Sequence, residues 1–264
     1  MLTFILLCLL VGSVVGFLAG LFGIGGGLII VPTLVYLLPM IGVPEPLLMS
    51  AALGTSFATI VITGFSSAQR HHKLGNIEWN AVKVLAPMVM ISVFISGLFI
   101  GKLDREVSAK IFACLVVYLA TKMVISIKKS TGKTKPLTTQ ASVIGGILIG
   151  MASSAAGVGG GGFIVPFLNS RGIDMKKAIG SSAFCGALLG LSGMFSFMVS
   201  GWGNPSMPDY SLGYIYLPAV LGITASSFFT SKLGATATSK LPVSTLKKGF
   251  ALLLIAIAVD MFIK

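Results

Sequence analysis

Apolar and polar residues in this chain segregate into long blocks instead of alternating at short period. Apolar runs fall at about 2–21, 28–41, 46–68, 79–100, 107–127, 141–156, 162–170, 177–200, 213–231 and 246–263. A helix that crosses a bilayer needs about 20 apolar residues. Seven of the ten runs approach that length, while 28–41, 141–156 and 162–170 are short. The pattern predicts an all-α polytopic membrane protein. The one substantial connection is 126–140, which holds Lys128, Lys129, Lys133 and Lys135 and no acid.

Composition agrees with that reading. Hydrophobic residues make up 55% of the 264 residues, charged residues 10%, and the mean hydropathy is +0.99. A soluble domain carries about 25% charged residues, so this chain has too few to cover a water-facing surface, and lipid is the solvent for most of it. The net charge of +12 does not point to nucleic acid. The bases cluster in short connections between apolar runs, as the positive-inside rule produces, and do not interleave with aromatics. Cys8, Cys114 and Cys185 lie inside apolar runs with no disulfide or zinc spacing, and read as small buried hydrophobes. Residues 2–21 lack a basic leader and a small-x-small cleavage site, so they read as a retained membrane segment.

The chain repeats itself. Gly16 to Pro32 matches Gly150 to Pro166 without a gap, setting Gly23-Ile24-Gly25-Gly26-Gly27 on Gly157-Val158-Gly159-Gly160-Gly161. Gly54-Thr55-Ser56 then matches Gly180-Ser181-Ser182, and Leu74-Gly75-Asn76-Ile77 matches Leu212-Gly213-Tyr214-Ile215. A last block pairs Lys110, Phe112, Ala113, Leu115, Ala120 and Met123 with Lys248, Phe250, Ala251, Leu253, Ala258 and Met261. Two membrane repeats, 1–125 and 141–264, flank a basic cytoplasmic linker, 126–140; duplicated halves are a common plan for transporters.

Charge tests how the halves are oriented. If 126–140 is cytoplasmic, two crossings return the basic stretch Arg70-His71-His72-Lys73 to the same side. If 141–170 enters and leaves on that side, Arg171, Lys176, Lys177, Lys232, Lys240, Lys247 and Lys248 are cytoplasmic too, and Asp209 is external. Each half then holds a hairpin that folds back plus three crossings, and the odd number inverts the second half. Eight simple transmembrane helices with parallel repeats are the alternative.

The glycine clusters carry the candidate chemistry. Gly16 and Gly20, four apart, suit close helix packing. Adjacent glycines at 25–27 and 159–161, each weakening a helix by about 1 kcal/mol and followed by Pro32 and Pro166, predict broken helices. Breaks at membrane depth survive only against protein or a watery cavity. They leave N–H groups and helix N-terminal dipoles facing that space, which is the chemistry of an anion site. Two related breaks should meet near the midplane.

The paired hydroxyls Thr55, Ser56, Ser181 and Ser182 can donate to an oxyanion without burying a charge, or bond their own helix carbonyls. The candidate solute-binding set is Gly23, Gly25, Gly26, Gly27, Pro32, Thr55, Ser56, Gly157, Gly159, Gly160, Gly161, Pro166, Ser181 and Ser182. Lys83, Lys110, Lys122 and Asp260 lie near segment ends, and none reads as a proton relay. His71 and His72 read as exposed. With no paired-carboxylate site, metal cluster or nucleotide motif, the chain does not read as an enzyme, and no cofactor is implied.

The doubled Gly-x-Gly-Gly-Gly followed by Val-Pro, at 23–32 and 157–166, resembles the sulfite exporter TauE/SafE family, as does the stretch Arg70-His71-His72-Lys73-Leu74-Gly75-Asn76-Ile77. The resemblance covers nearly the whole chain. It implies a multi-pass plasma-membrane permease that moves sulfite or organosulfonate-type anions. An anion channel, or a transporter of another small organic anion, is the alternative. The partners implied are the lipid bilayer and a small anionic solute, with no nucleic acid; the chain is compatible with a homo-oligomer.

Overall fold

The computed structural model describes residues 2–128, 136–242, 245, 248, 249 and 252. Most of the expected last segment 246–263, the centre of the lysine-rich linker, Lys247, Asp260 and the side chain of Lys122 lie outside the described residues, and so does most of the last repeat block.

Nine α-helices account for most of the described chain: α1 (Leu2–Phe22), α2 (Gly27–Leu37), α3 (Leu48–Lys73), α4 (Trp79–Ile100), α5 (Arg105–Lys128), α6 (Thr139–Ala156), α7 (Gly161–Ser170), α8 (Met175–Ser200) and α9 (Leu217–Lys240). A two-residue hairpin, β1 (Ser211–Leu212) and β2 (Ile215–Tyr216), precedes α9. Among the described residues, α1, α4, α6, α8 and the stretch Glu45–Lys73 are long and apolar enough to cross a membrane. The chain is an all-α membrane protein.

Two boundaries differ from expectation. The stretch Arg70–Lys73 is the last turn of α3, not a loop. The expected run 213–231 becomes α9 only from Leu217, because Gly213 takes φ 60 in the hairpin turn; the helix then continues to Lys240. The polarity of α9 hid its length. Most of its hydroxyls bond within the helix, as Thr224 Oγ1 does to the Val220 carbonyl (2.6 Å), or onto a neighbour, as Thr238 Oγ1 does to the Leu21 carbonyl of α1 (2.7 Å). Satisfied in this way, they cost little in an apolar setting.

Helix directions follow from the contacts. On α1, Gly12, Gly16 and Gly20 lie against Ile223, Ser227 and Ser231 of α9, so these two helices run parallel. On α6, Gly146 and Gly150 lie against Leu85 and Val89 of α4, again parallel. Helices α3 and α8 cross antiparallel at the centre: Gly64 meets Ala187, Gly190 meets Ile60, and Phe57 meets Phe197. In their most apolar windows 83% of Glu45–Lys73 is buried against 33% of α4, so α3 is central and α4 peripheral.

Hydroxyl ladders join neighbouring helices. Ser192 and Ser196 of α8 donate to the Met90 and Phe94 carbonyls of α4 (2.6 and 2.8 Å), and Ser66 of α3 donates to the Phe228 carbonyl of α9 (2.6 Å).

The two ends of the bundle differ in charge. The α3 C-terminus, the α8 N-terminus and the α9 C-terminus meet at one end, where Asn76 Nδ2 donates to Ser239 (2.8 Å) and Lys177 pairs with Glu78 (3.0 Å). Pro136 is drawn to the same end, its carbonyl accepting from Arg171 (3.4 Å), so α6 and α7 form a hairpin with both ends together. That end carries Arg70, Lys73, Lys83, Arg171, Lys176, Lys177 and Lys240 with Glu78 and Asp174. The opposite end carries Glu45, Asp104, Glu106 and Asp209 with Lys102, Arg105 and Lys110. There Arg105 pairs with Glu45 and Lys110 with Glu106 (2.6 Å).

The packing role of Gly16 is directly testable. A Cβ at Gly16 would lie 2.5 Å from the Ser227 Cα, a backbone atom that cannot move aside. Gly16→Leu should therefore cost about 1–3 kcal/mol, read as a melting temperature lowered by several degrees in detergent. An unchanged melting temperature would contradict the α1–α9 packing.

Candidate functional site

The chain interrupts its helices where the glycines predict. Helix α1 ends at Phe22, Gly23 takes φ 67, and α2 starts after Gly26 at φ 88. Helix α6 ends at Ala156, Gly157 takes φ 57, and α7 starts after Gly160 at φ 73. Gly26 and Gly160 are the N-caps, and their left-handed conformation is one a side chain resists. Neither cap offers a side-chain oxygen, so the first amides of α2 and α7 depend on other partners. Among the described residues, the N–H groups of Gly25, Gly26 and Gly27, and those of Gly159, Gly161 and Gly162, meet no acceptor.

Pro32 and Pro166 lie inside α2 and α7, past the interruptions and half-buried. Each removes the N–H that would have met the carbonyl four residues earlier.

The two interruptions touch reciprocally. A Cβ on Gly25 would lie 3.0 Å from the Gly159 Cα, and one on Gly159 would lie 3.0 Å from the Gly25 Cα. Gly27 faces Gly157 and Val158, while Gly161 faces Gly23 and Ile24, so close that a methyl at either position would overlap backbone. All these glycines are buried. Ile60, at the centre of α3, presses Cγ2 on both Gly25 and Gly159.

The four candidate hydroxyls lie around this junction, all fully buried. Ser56 Oγ donates to the Gly157 carbonyl (2.8 Å) and Ser182 Oγ donates to the Gly23 carbonyl (3.0 Å), each thus satisfying the last carbonyls before the other interruption. Thr55 Oγ1 accepts the Tyr216 N–H (3.0 Å), and Ser181 Oγ accepts the Glu78 N–H (2.8 Å). Thr63 Oγ1 adds a bond to the Gly25 carbonyl (3.3 Å). The back-bonding expected as the plain alternative for Ser56 and Ser182 gives way to bonds between segments far apart in sequence.

Sequence reasoning missed three residues. Ile60 looks like any apolar residue of its run, and Thr63 lies beyond the repeated triplet. His71 was expected to be exposed; it is wholly buried, because the end of α3 turns it toward α1. Its Nε2 lies 3.1 Å from the Gly20 carbonyl, which assigns the proton there, and Asn76 Nδ2 stands 3.5 Å from its Nδ1. A groove of about 220 Å³ between α3, α8, the hairpin and the start of α9 is lined by Val61, Met194, Met198, Leu212, Ile215 and Val220 and others as apolar, so it offers a charged solute no donor.

The chain is similar over its full length to a protein of Haemophilus influenzae called "Probable membrane transporter protein", with 81% identity and 100% of each chain covered. A protein of the same description from Methanocaldococcus jannaschii is 29% identical over 89% of this chain and 86% of its own. One from Bacillus subtilis is 27% identical over 97% and 96%. No solved structure matches the chain. The family model described as "Sulfite exporter TauE/SafE" matches residues 8–261, so the chain belongs to the sulfite exporter TauE/SafE family.

Proposed function

We propose that this membrane transporter is a secondary transporter of small anions, sulfite or an organosulfonate-type compound, which it binds where the two glycine interruptions meet. The observation that carries the reading is the mutual contact of Gly25 and Gly159 at the head of α2 and α7, with unpaired amides on both sides. Two helix N-termini converge there, and each favours an anion by about 0.3–1 kcal/mol, up to ~2 when partly buried. Hydrogen bonds from amides to a charged oxygen add about 1.5–3 kcal/mol each. Some of this offsets the loss of hydration, leaving affinity in a range from which a solute can still depart. Gly23, Gly27, Gly157 and Gly161 shape the backbone. Ser56 and Ser182 each hold one interruption carbonyl, those of Gly157 and Gly23, which leaves the open amides to the solute.

The same reading makes residues 1–125 and 141–264 inverted repeats joined by the linker 126–140. It is supported by the antiparallel crossing of α3 and α8, the two helices that carry the matched Gly-hydroxyl-Ser triplets. Corresponding helices that cross in opposite senses are what oppositely oriented halves would produce. The charge difference between the ends supports a cytoplasmic Arg70–Lys73 end in a plasma-membrane protein.

Binding tests the site. In a thermal-shift panel of sulfite, thiosulfate, sulfoacetate, taurine, sulfate and chloride on detergent-purified protein, one sulfur anion should raise the melting temperature selectively. At 100 times its Kd the stabilisation is about 2.7 kcal/mol. Gly160→Leu should abolish the shift while the protein still purifies folded. A shift that persists in Gly160→Leu, or none with any anion, would contradict the assignment. In proteoliposomes, labelled solute should accumulate transiently against preloaded unlabelled solute. Flux that never saturates and shows no such counterflow would make the protein a channel.

A further inference from the structure

The triplets Gly54-Thr55-Ser56 and Gly180-Ser181-Ser182 do more than border the junction. Each sits at the start of a central helix and makes three consecutive contacts of the same kind. Gly54 lies under the carbonyl of Tyr214, 2.6 Å from where its Cβ would be, and Gly180 lies under the carbonyl of Asn76, closer still. Thr55 then accepts the N–H of Tyr216, as Ser181 accepts that of Glu78. Ser56 reaches the second interruption, as Ser182 reaches the first. A glycine with no side chain lets a connecting segment of the opposite half settle onto the helix end; a hydroxyl holds that segment; a second hydroxyl grips the interruption beneath it.

The two segments, 74–78 and 212–216, lie at opposite ends of the bundle. The charged end is reinforced by polar contacts, Glu78 to Lys177 (3.0 Å) and Asn76 to Ser239 (2.8 Å). The other is reinforced by packing, with Tyr216 edge-on to Phe4 (5.8 Å) and Gly213 close on the Met198 backbone. Both hydroxyl bonds are formed, and the junction between them is buried.

Helices α3 and α8 pack antiparallel about a tight crossing, where a Cβ on Gly64 would lie 3.0 Å from the Ala187 Cα and one on Gly190 would lie 2.9 Å from Ile60 Cγ2. Packing this close resists compression, which makes the crossing the natural fulcrum for a tilt of one helix on the other. A tilt that opens either end presses the opposite end together.

We propose that Thr55 and Ser181 are the two latches of the transport cycle: each holds one end of the path shut, and the α3–α8 crossing allows only one to release at a time. The proposal rests on the transport reading for its purpose. Its test uses no solute, so the latches can fail while binding and counterflow succeed, and the reverse.

The test places a reporter at the junction and asks from which side it is reached. Ile60 touches both interruptions, so Ile60→Cys is made in a background of Cys8→Ala, Cys114→Ala and Cys185→Ala. Reaction with a membrane-impermeant maleimide is timed in vesicles of both orientations. Thr55→Val keeps the shape and removes the acceptor; Ser181→Ala removes the other. Loss of one hydrogen bond should speed labelling by about 3- to 10-fold, from one face in Thr55→Val and from the opposite face in Ser181→Ala. Thr55→Ser, which keeps the hydroxyl, should label like its parent. Acceleration from the same face in both, from both faces at once, or in fewer than both variants would overturn the proposal. So would a Thr55→Ser protein that labels like Thr55→Val.

Discussion

A backbone N–H or C=O left without a partner in hydrocarbon costs several kcal/mol, and the centre of this molecule is arranged around that cost. Two helices stop, at Phe22 and at Ala156, and restart after four intervening residues. The freed carbonyls find partners across the molecule: Gly157 from Ser56 and Gly23 from Ser182. The freed amides of Gly25–Gly27 and Gly159, Gly161 and Gly162 find none among the described residues. With the Gly23 and Gly157 carbonyls held and six amides open, the junction favours an anion over a cation.

The rest of the bundle serves to bring those two places together. Interfaces without a hydrophobic driving force rely on close approach and on hydrogen bonds. Gly12, Gly16 and Gly20 let α9 lie on α1, and Gly146 and Gly150 let α4 lie on α6. Serine ladders on α8 and α3 fasten the peripheral helices to the central pair. With α3 and α8 held in register, Ile60 is pinned on both interruptions, and the triplets at the helix starts reach the connections at either end. Removing one of these contacts therefore disturbs more than its own neighbourhood.

Much of this was legible in the sequence, and the reasons are physical. Glycine runs inside apolar segments have few uses in lipid, so the interruptions at 23–27 and 157–161 could be placed before any coordinates. Repetition marked Thr55, Ser56, Ser181 and Ser182, but not what they bond, because a hydroxyl's partner depends on which helix crosses it. Ile60 was invisible: an isoleucine in an apolar run carries no sign that it touches two interruptions at once. His71 was misread because a basic stretch beside an apolar run resembles a solvated loop, whereas α3 carries it one turn further and buries the ring against Gly20. The hydroxyl-rich α9 looked shorter and more polar than it is, since sequence counts a threonine as polar whether or not its hydroxyl is already bonded to its own helix.

The central claim is that a solute anion binds the open amides where the Gly25 and Gly159 interruptions meet. It is tested most directly by determining the structure of the protein with selenite, whose heavy atom marks the position of an oxyanion by anomalous scattering. The account predicts a peak within hydrogen-bonding reach of the amides around Gly25–Gly27 and Gly159–Gly161, flanked by Ser56 and Ser182. A peak elsewhere, such as at the basic end beside Arg70 or Lys176, with the junction empty at saturating selenite, would contradict it.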